Sequence, residues 1–181
     1  GTGSPAYYQG RLYVPLTGTE EGAGGSPRYP CCRSHGSVVA LDADSGRVIW
    51  QASTLRAAPQ PTRRNAPGTQ LYGPSGAGVW SAPTIDAKAQ RLYVATGDSY
   101  SDPAGDTSDA VLAFDLNTGQ MLWAHQATSM DAYNAGCDLA DKSGCPQENG
   151  PDFDFGQPPL LVSEPDGQRM LVVGQKSGLV Y

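Results

Sequence analysis

Apolar and polar positions alternate in short segments of this chain, and one such pattern occurs twice. Residues 37–50 and 109–123 both contain V-x-A-x-D-x-x-[ST]-G-x-x-[IL]-W, and the two copies lie 73 residues apart. The alternating apolar positions predict a β-strand, and the Asp and Gly positions predict a tight turn. The closing residue, Trp50 or Trp123, starts the return strand and fills a site between sheets. Each copy therefore predicts a β-hairpin.

A second pattern precedes the hairpin pattern in each unit. Pro5, Pro83 and Pro159 come shortly before segments that read R-L-Y-V or R-M-L-V, and the prolines are spaced by 78 and 76 residues. Proline is tolerated at the start of a strand because no ladder donor is needed there. Each unit thus holds at least four short strands and a long loop. Radial repetition of four-stranded antiparallel units predicts the blades of a β-propeller.

The repeat count predicts an all-β fold made of part of a propeller. We expect residues 1–181 to form a β-propeller fragment of about two full four-stranded blades and part of a third, incomplete at both ends. A closed ring needs at least four blades, so the remaining blades are expected elsewhere in a larger protein. No window sustains a period of 3.6 residues, which predicts little helix.

Composition excludes some classes of partner. The net charge of −6 and the pI near 4.7 leave no basic stripe for nucleic acid. No apolar run approaches 20 residues, so we expect no transmembrane segment. The chain is expected to begin within a domain, so the lack of a visible signal peptide carries no information on export. Oligomeric state is not indicated by the sequence.

The four cysteines form two local pairs, and the two histidines give them no zinc-ligand spacing. A bond between Cys137 and Cys145 would close a loop rich in Gly, Asp and Asn, which fits an oxidising compartment. Two free thiols in a cytosolic loop are the alternative. A bond between the adjacent Cys31 and Cys32 would be strained, as occurs at functional sites, and two unlinked cysteines are an equal alternative.

Polar chemistry gathers at equivalent positions of successive units. Glu20, Asp98 and Asp154 each lie near a strand end, where equivalent blade positions converge on one end of the channel. Converging carboxylates suit a hard cation, and oxygen ligands suit calcium; solvated loop acids are the alternative. Trp80 ends a glycine-rich loop and could stack on a planar ligand or pack at a blade edge. Lys176 is predicted on the same face, with a surface lysine as the alternative.

The motifs resemble those of a known family. The D-x-x-[ST]-G-x-x-x-W pattern resembles the tryptophan-docking motif of pyrroloquinoline quinone (PQQ)-dependent alcohol dehydrogenases, which are eight-bladed quinoprotein propellers. The loops are most similar to the polyvinyl alcohol dehydrogenase branch, in residues 29–42, 68–86, 95–101 and 150–156. The docking pattern also occurs in non-catalytic propellers, whereas the loops together are much more specific.

The resemblance implies a site for PQQ and calcium. It implies that Asp154 is the catalytic base and that Trp80 is the floor beneath the PQQ ring. The implied metal ligands are Glu20, Asp98, which replaces an asparagine of many relatives, and Asp154. The remaining implied cofactor contacts are Thr2, Thr17, Gly18, Thr19, Lys176, Cys31 and Cys32.

Two departures refine this picture. Cys31 and Cys32 resemble the family's vicinal disulfide, which faces the cofactor, although in many relatives that disulfide lies one blade earlier. Relatives that use a lanthanide carry a further aspartate two residues after the catalytic one. Here that position is Gly156, which favours calcium.

The resemblance implies a quinoprotein dehydrogenase that oxidises an alcohol, such as polyvinyl alcohol or another secondary alcohol. Electrons would pass to a cytochrome c, and the protein would be periplasmic or otherwise exported. No Cys-x-x-Cys-His haem motif occurs in the chain, so the cytochrome would be a separate region or protein. The alternatives are a non-catalytic propeller scaffold in the cell envelope and a sugar dehydrogenase of the same superfamily. We expect the 181 residues alone to bind PQQ poorly and to be inactive, because the remaining blades close the channel.

Overall fold

The first sheet of the protein, in a computed structural model that describes residues 3–181, is a four-stranded antiparallel meander. Its strands follow chain order: β1 (Ala6–Tyr8), β2 (Arg11–Leu16), β3 (Ser37–Asp42) and β4 (Val48–Ser53). A four-residue helix, α1 (Glu20–Ala23), begins the long loop between β2 and β3. The hairpin predicted over residues 37–50 is the pair β3 and β4, in which Ala40 faces Trp50.

An insertion follows the first sheet and contributes short strands. β5 (Gln60–Arg64) pairs with β6 (Gln70–Gly73), and β7 (Ser75–Gly76) pairs with a strand of the next unit. The main strands of that unit are β8 (Thr84–Asp86), β9 (Arg91–Ala95), β11 (Ala110–Asp115) and β12 (Met121–Gln126). They form a second antiparallel sheet in the order β12-β11-β9-β8, and β10 (Ser99–Ser101) lies outside it and pairs with β7.

The third unit has one antiparallel pair among the described residues, β13 (Leu160–Ser163) with β14 (Arg169–Val172). The two four-stranded sheets and this pair follow the repeat of the sequence, and the predicted all-β fold with antiparallel four-stranded sheets is confirmed. The main core lies between the first two sheets and is built mainly from inward-facing apolar side chains. Its fully buried members include Val38, Ala40, Leu92, Leu112 and Phe114.

The two hairpin turns have the local chemistry that the pattern predicts. Asp42 Oδ1 accepts hydrogen bonds from the backbone N–H and the hydroxyl of Ser45, and Asp115 Oδ1 accepts the same pair of bonds from Thr118. Gly46 then takes a φ of 71°, which glycine adopts without steric cost. These side-chain bonds fix the turn and therefore the register of the strands that it joins.

A long loop between β12 and β13 covers one end of the sheets. It contains a 3₁₀ helix (Ala135–Asp138) and a disulfide between Cys137 and Cys145. Cys31 and Cys32 are bonded to each other as well. Arg63 of β5 donates hydrogen bonds to the carbonyl oxygens of Ser143 (3.3 Å) and Cys145 (2.6 Å), so the insertion hairpin and the disulfide loop are tied together.

Helices contribute little to this fold. Within residues 3–181, no helix has both the length and the apolar character required to cross a lipid bilayer.

Candidate functional site

Loops from all three units meet at a cleft of about 410 Å³. Thr17 and Gly18 follow β2, Gly97 and Asp98 follow β9, and Asp154 precedes β13. In each antiparallel pair the start of the first strand lies beside the end of the second, so these positions come together at one end of the units. Its lining consists of Thr17, Gly18, Glu21, Gly78, Trp80, Gly97, Asp98, Tyr100, Asp154 and Lys176.

Asp154 is held in the cleft through both of its carboxylate oxygens. Its Oδ1 accepts a hydrogen bond of 2.6 Å from the backbone N–H of Asp98, and its Oδ2 lies 2.7 Å from Nζ of Lys176. The carbonyl oxygen of Asp154 also accepts the backbone N–H of Lys176 at 2.9 Å. With only 7% of its surface exposed, this carboxylate has a single orientation relative to the loops around it.

Lys176 bridges two acids beside the indole of Trp80. Its ammonium group contacts Asp152 Oδ1 at 2.8 Å as well as Asp154, and lies 5.6 Å from the centre of the Trp80 ring. Burial lowers the pKa of this amine, but the hydrogen bonds to Asp152 and Asp154 outweigh it and raise the pKa above its ordinary value. Lys176 is therefore a fixed positive charge over the aromatic wall of the cleft.

Three carboxylates converge at one end of the cleft. Asp98, Asp152 and Asp154 each place one oxygen within 4.8 Å of the others. Asp98 is only 2% exposed, and its Oδ2 is buried without a hydrogen-bond partner. Burial, followed by the nearby charges of Asp154 and Asp109, raises the pKa of Asp98 to about 11. An unpartnered buried carboxylate among other acids fits a hard cation such as calcium, which would supply the missing partner.

Asp109 is a buried acid beneath the cleft. Its side chain is fully buried, and neither carboxylate oxygen has a hydrogen-bond partner. Burial raises its pKa to about 9, with further contributions from Asp154 and Asp131. Burial thus disfavours the charged form of Asp109. When the two copies of the hairpin pattern are aligned, Gly36 of the first unit corresponds to Asp109 of the second. This difference between a glycine and an acid is the one sequence signal that could have identified Asp109.

Two glycines allow the indole and the acid to approach the backbone closely. A Cβ added to Gly97 would lie 2.8 Å from Asp154 Oδ1 and 3.2 Å from Trp80 Nε1. A Cβ on Gly156 would lie 2.9 Å from Cη2 of Trp80. Trp80 is thus close to both backbone segments, and Asp154 shares its contact with Gly97.

The first loop contributes unevenly to the cleft. Thr17 and Gly18 line it, and Thr17 Oγ1 lies 3.1 Å from the hydroxyl of Tyr100. Thr19 is exposed and precedes α1 without lining the cleft. Thr2, for which a cofactor contact was predicted, lies outside the described residues.

Glu20 does not join the acidic cluster. Its carboxylate accepts hydrogen bonds from the Tyr29 hydroxyl (2.9 Å) and from the backbone N–H groups of Arg33 (2.7 Å) and Ser34. Burial opposes ionisation, but these hydrogen bonds outweigh it and lower the pKa of Glu20. The sequence predicts that Glu20 joins Asp98 and Asp154, but the residue beside them is Asp152. The neighbouring acid Glu21 lines the cleft.

The Cys31–Cys32 disulfide lies behind the cleft. Both cysteines are buried, and they form a small apolar cluster with Leu71 and Tyr100. Among the described residues that line the cleft, Tyr100 belongs to this cluster and neither cysteine is present. The disulfide thus supports the wall of the cleft from the side opposite to the cavity.

The chain was compared with known protein families and with individual proteins. Residues 30–142 match the PQQ family described as glucose/ethanol/alcohol dehydrogenase, beta-propeller domain. The chain is similar to a polyvinylalcohol dehydrogenase of Pseudomonas sp. (45% identity over 180 residues, 99% of this chain) and to another of Sphingopyxis sp. (strain 113P3) (40% over 182 residues, 99% of this chain). It spans 28% of the length of each of these relatives.

Solved structures of similar fold support the family match. The quinohemoprotein alcohol dehydrogenase ADHIIG of Pseudomonas putida HK5 aligns with 99% of this chain and 25% of its own, with a TM-score of 0.62 at 20% identity. The predicted β-propeller architecture is confirmed by this likeness and by the family match.

Proposed function

Because the chain belongs to the PQQ family of glucose, ethanol and alcohol dehydrogenase β-propeller domains, we propose that it carries part of the active site of an alcohol-oxidising quinoprotein. The observation that carries the proposal is the position of Asp154. This carboxylate faces the cleft, is fixed by the Asp98 amide and by Lys176, and lies near Gly97, as Trp80 Nε1 does. A carboxylate held in this way can accept the proton of an alcohol hydroxyl.

Calcium is the metal that the acidic cluster suits best. The ion would be held by Asp98, Asp152 and Asp154. It would also give the buried Oδ2 of Asp98, which accepts no hydrogen bond, a positively charged partner. A divalent cation there would compensate the charges of these acids, which otherwise repel one another. Oxygen-only donors favour calcium over softer metals.

The cleft beside the acidic cluster suits a flat, anionic cofactor. The indole of Trp80 offers an aromatic surface, while Thr17, Gly18 and Gly78 form a wall of small side chains. Lys176 uses two of its three N–H donors on Asp152 and Asp154, so that a third can reach an oxygen of the cofactor. PQQ, when bound, supplies the electrophilic carbonyl that accepts the hydride, and the protein supplies position and charge.

The substrate class is proposed from the relatives. Two polyvinylalcohol dehydrogenases share 45% and 40% of their matched residues with this chain, and their substrate is a polymer of secondary alcohols. We extend this substrate class to the intact protein, with a cytochrome c as the electron acceptor. The two disulfides support a periplasmic or otherwise exported location.

The test is reconstitution of the intact protein. Metal-free, cofactor-free protein is incubated with PQQ and calcium chloride, and reduction of an artificial dye is followed with polyvinyl alcohol, small secondary alcohols, primary alcohols and glucose. We expect alcohol-dependent reduction that falls by about a hundredfold or more in Asp154→Asn, since general bases contribute factors of 10²–10⁴. Asp166→Asn, in an exposed turn, is the control.

Three outcomes are distinguishable in that assay. Alcohol-dependent turnover that is lost in Asp154→Asn supports the proposal. Turnover with glucose alone would identify a sugar dehydrogenase instead. Failure to bind PQQ in a competently folded intact protein would contradict the proposal and favour a scaffold.

A further inference from the structure

Asp131 lies between the two chain segments that carry Asp98 and Asp154. Its side chain is fully buried. Oδ1 accepts the backbone N–H of Asp152 at 3.0 Å and Oδ2 accepts that of Phe153 at 2.9 Å. Both carboxylate oxygens are thus used on the two residues that immediately precede Asp154.

The same residue reaches the Asp98 segment through its backbone. The carbonyl oxygen of Asp131 accepts the N–H of Ser99 at 3.4 Å, and Tyr133 N–H donates to Ser99 O at 2.7 Å. The main chain at Asp131 therefore runs alongside the residue that follows Asp98. One short segment is in this way bonded to both of the strand-end loops that carry the acidic cluster.

The local backbone requires such support. Asp152 has a φ of 58°, a left-handed conformation that costs a non-glycine residue free energy unless its surroundings enforce it. Gly150 allows the carboxylate to come close, because a Cβ there would lie 2.5 Å from Asp131 Oδ1. The two hydrogen bonds that the Asp131 carboxylate accepts hold this turn, and the Asp152 side chain of the turn contacts Lys176.

Asp131 is itself held in place by the disulfide loop. Ala132 N–H donates to Glu148 O at 3.0 Å, and the buried side chain of Asn134 donates to Tyr100 O (2.9 Å) and Gly144 O (3.0 Å). Gly144 adjoins Cys145, which the disulfide joins to Cys137. A rigid path thus runs from the disulfide loop to the cleft.

We infer that Asp131 is a positioning residue of the site, whose carboxylate fixes the backbone at residues 152–153 and so keeps Asp152 and Asp154 beside Asp98 and Lys176. The inference rests on the proposed function, since it assigns a role toward the metal and the base of that site. Groups that orient metal ligands from behind typically change metal affinity or activity by about 10–100-fold when they are replaced.

The chain offers a closely matched control. Asp102 uses its two carboxylate oxygens on the adjacent backbone N–H groups of Gln147 and Glu148, both at 2.9 Å. Its two partners belong to the loop that carries Asp131, but they do not adjoin Asp154, and Asp102 also lies 3.6 Å from Arg63 Nε. Asp131→Asn therefore weakens hydrogen bonds to backbone N–H groups next to Asp154. Asp102→Asn weakens equivalent bonds at residues 147–148, away from the site.

The experiment measures both variants in the intact protein. Amide hydrogen exchange is followed in peptides that cover residues 150–156 and 145–149, and calcium affinity is measured by calorimetry on EDTA-treated protein. For Asp131→Asn we expect about tenfold faster exchange at 150–156 and at least a tenfold weaker calcium affinity. Alcohol oxidation should fall in kcat more than it rises in KM, and added calcium should restore part of it. Asp102→Asn should speed exchange only at 145–149 and leave calcium affinity within about twofold.

Two results would overturn the inference. One is unchanged exchange at 150–156 in Asp131→Asn, because the carboxylate would then not hold that segment. The other is faster exchange with calcium affinity and kcat both at the wild-type level, because Asp131 would then be structural only.

Failure of the proposed function gives a different result. Wild-type protein that binds neither calcium nor PQQ contradicts the proposed function, whereas the exchange data still report whether Asp131 fastens the segment. If Asp131→Asn does not fold, Gly150→Ala replaces it, since the added Cβ would displace the Asp131 carboxylate. The same changes in exchange and calcium affinity are expected for that variant.

Discussion

Gly119, in the turn of the second four-stranded sheet, lies directly against the indole of Trp50 in the first. A Cβ on Gly119 would be 2.6 Å from Cε3 and 2.7 Å from Cδ2 of that ring. The same glycine takes a φ of 74° to close its hairpin. Gly119 therefore closes the hairpin turn of the second sheet and also packs against the first sheet.

Gly119→Ala is expected to destabilise the protein more than the same change in the other hairpin. It adds an overpacking cost of about 1–3 kcal/mol to the cost of a positive φ in alanine. Gly46→Ala has a φ of 71° but open space around the added Cβ, so it carries the backbone cost alone, about 1 kcal/mol. Denaturant unfolding of both variants measures the difference, and equal losses would show that the contact with Trp50 is unimportant.

Gly97→Ala should impair catalysis in the intact protein. The new methyl group would lie between Asp154 Oδ1 and Trp80 Nε1, so it must displace one of them. A displacement near 1 Å at a reacting group costs about 10²-fold in rate, and we expect a loss of at least about tenfold in kcat. Gly22→Ala adds the same methyl group to α1 with no heavy atom within 4 Å, and it should leave kcat within about twofold.

Glu20→Gln tests whether this residue is a structural anchor. Hydrogen bonds from Ser34, Arg33 and Tyr29 outweigh burial and lower the folded-state pKa of Glu20. The ionised form therefore adds stability that is fully present above pH about 4.5 and is lost as the pH falls through the folded-state pKa. We expect Glu20→Gln to lose about 1–3 kcal/mol at pH 7 and to approach the wild type as the pH falls through the folded-state pKa.

The neighbouring acid is the control for this pH dependence. Burial, followed by repulsion from Asp154 and Asp152, raises the pKa of Glu21, so its ionisation opposes folding above pH about 4.5. Glu21→Gln should therefore be neutral or stabilising at pH 7. Calcium titration of Glu20→Gln adds a second readout: a loss of calcium affinity as large as that of Asp98→Asn would restore Glu20 as a metal ligand.

Asp98→Asn should stabilise the metal-free protein and remove its response to calcium. In the folded state Asp98 keeps its proton up to a pKa of about 11, whereas the unfolded chain releases it near pH 4. Stability of the metal-free protein therefore falls as the pH rises through this range, and the amide removes that penalty. We expect a gain of about 1–3 kcal/mol at pH 7 in EDTA, measured by denaturant unfolding.

Calcium reverses the comparison. It should raise the stability of the wild type in proportion to its affinity and leave Asp98→Asn unchanged. Asp166→Asn, in an exposed turn, should behave as the wild type in both conditions. A variant at Asp98 that is still stabilised by calcium would place the ion elsewhere.

Local chemistry made the hairpins predictable from the sequence. The bonds of Asp42 to Ser45 and of Asp115 to Thr118 lie within three residues, so the turn and its register are encoded where they form. The gathering of Asp98, Asp154 and Trp80 in one cleft was predictable for a different reason. Asp98 follows the second strand of its unit, whereas Trp80 and Asp154 precede a first strand. Both kinds of position lie at the same end of the repeated units.

Contacts within the irregular loops could not be predicted in this way. The direction of Glu20 is decided by the backbone amides of Arg33 and Ser34, more than a dozen residues away, and no periodicity marks that path. Asp131 and Asp152 lie in a loop whose course is set by a disulfide and by a left-handed residue. Sequence patterns give the identity of such acids but not the partners that they reach.

The cluster of carboxylates also implies an order of assembly. PQQ is itself a polyanion, and it would enter a cleft in which Lys176 is already shared between Asp152 and Asp154. Without a cation at the acidic end, a carboxylate of the cofactor that approached Asp152 and Asp154 would be repelled by their charge. The ion is therefore expected to be the first component to bind, and the availability of calcium would govern how much of the protein matures.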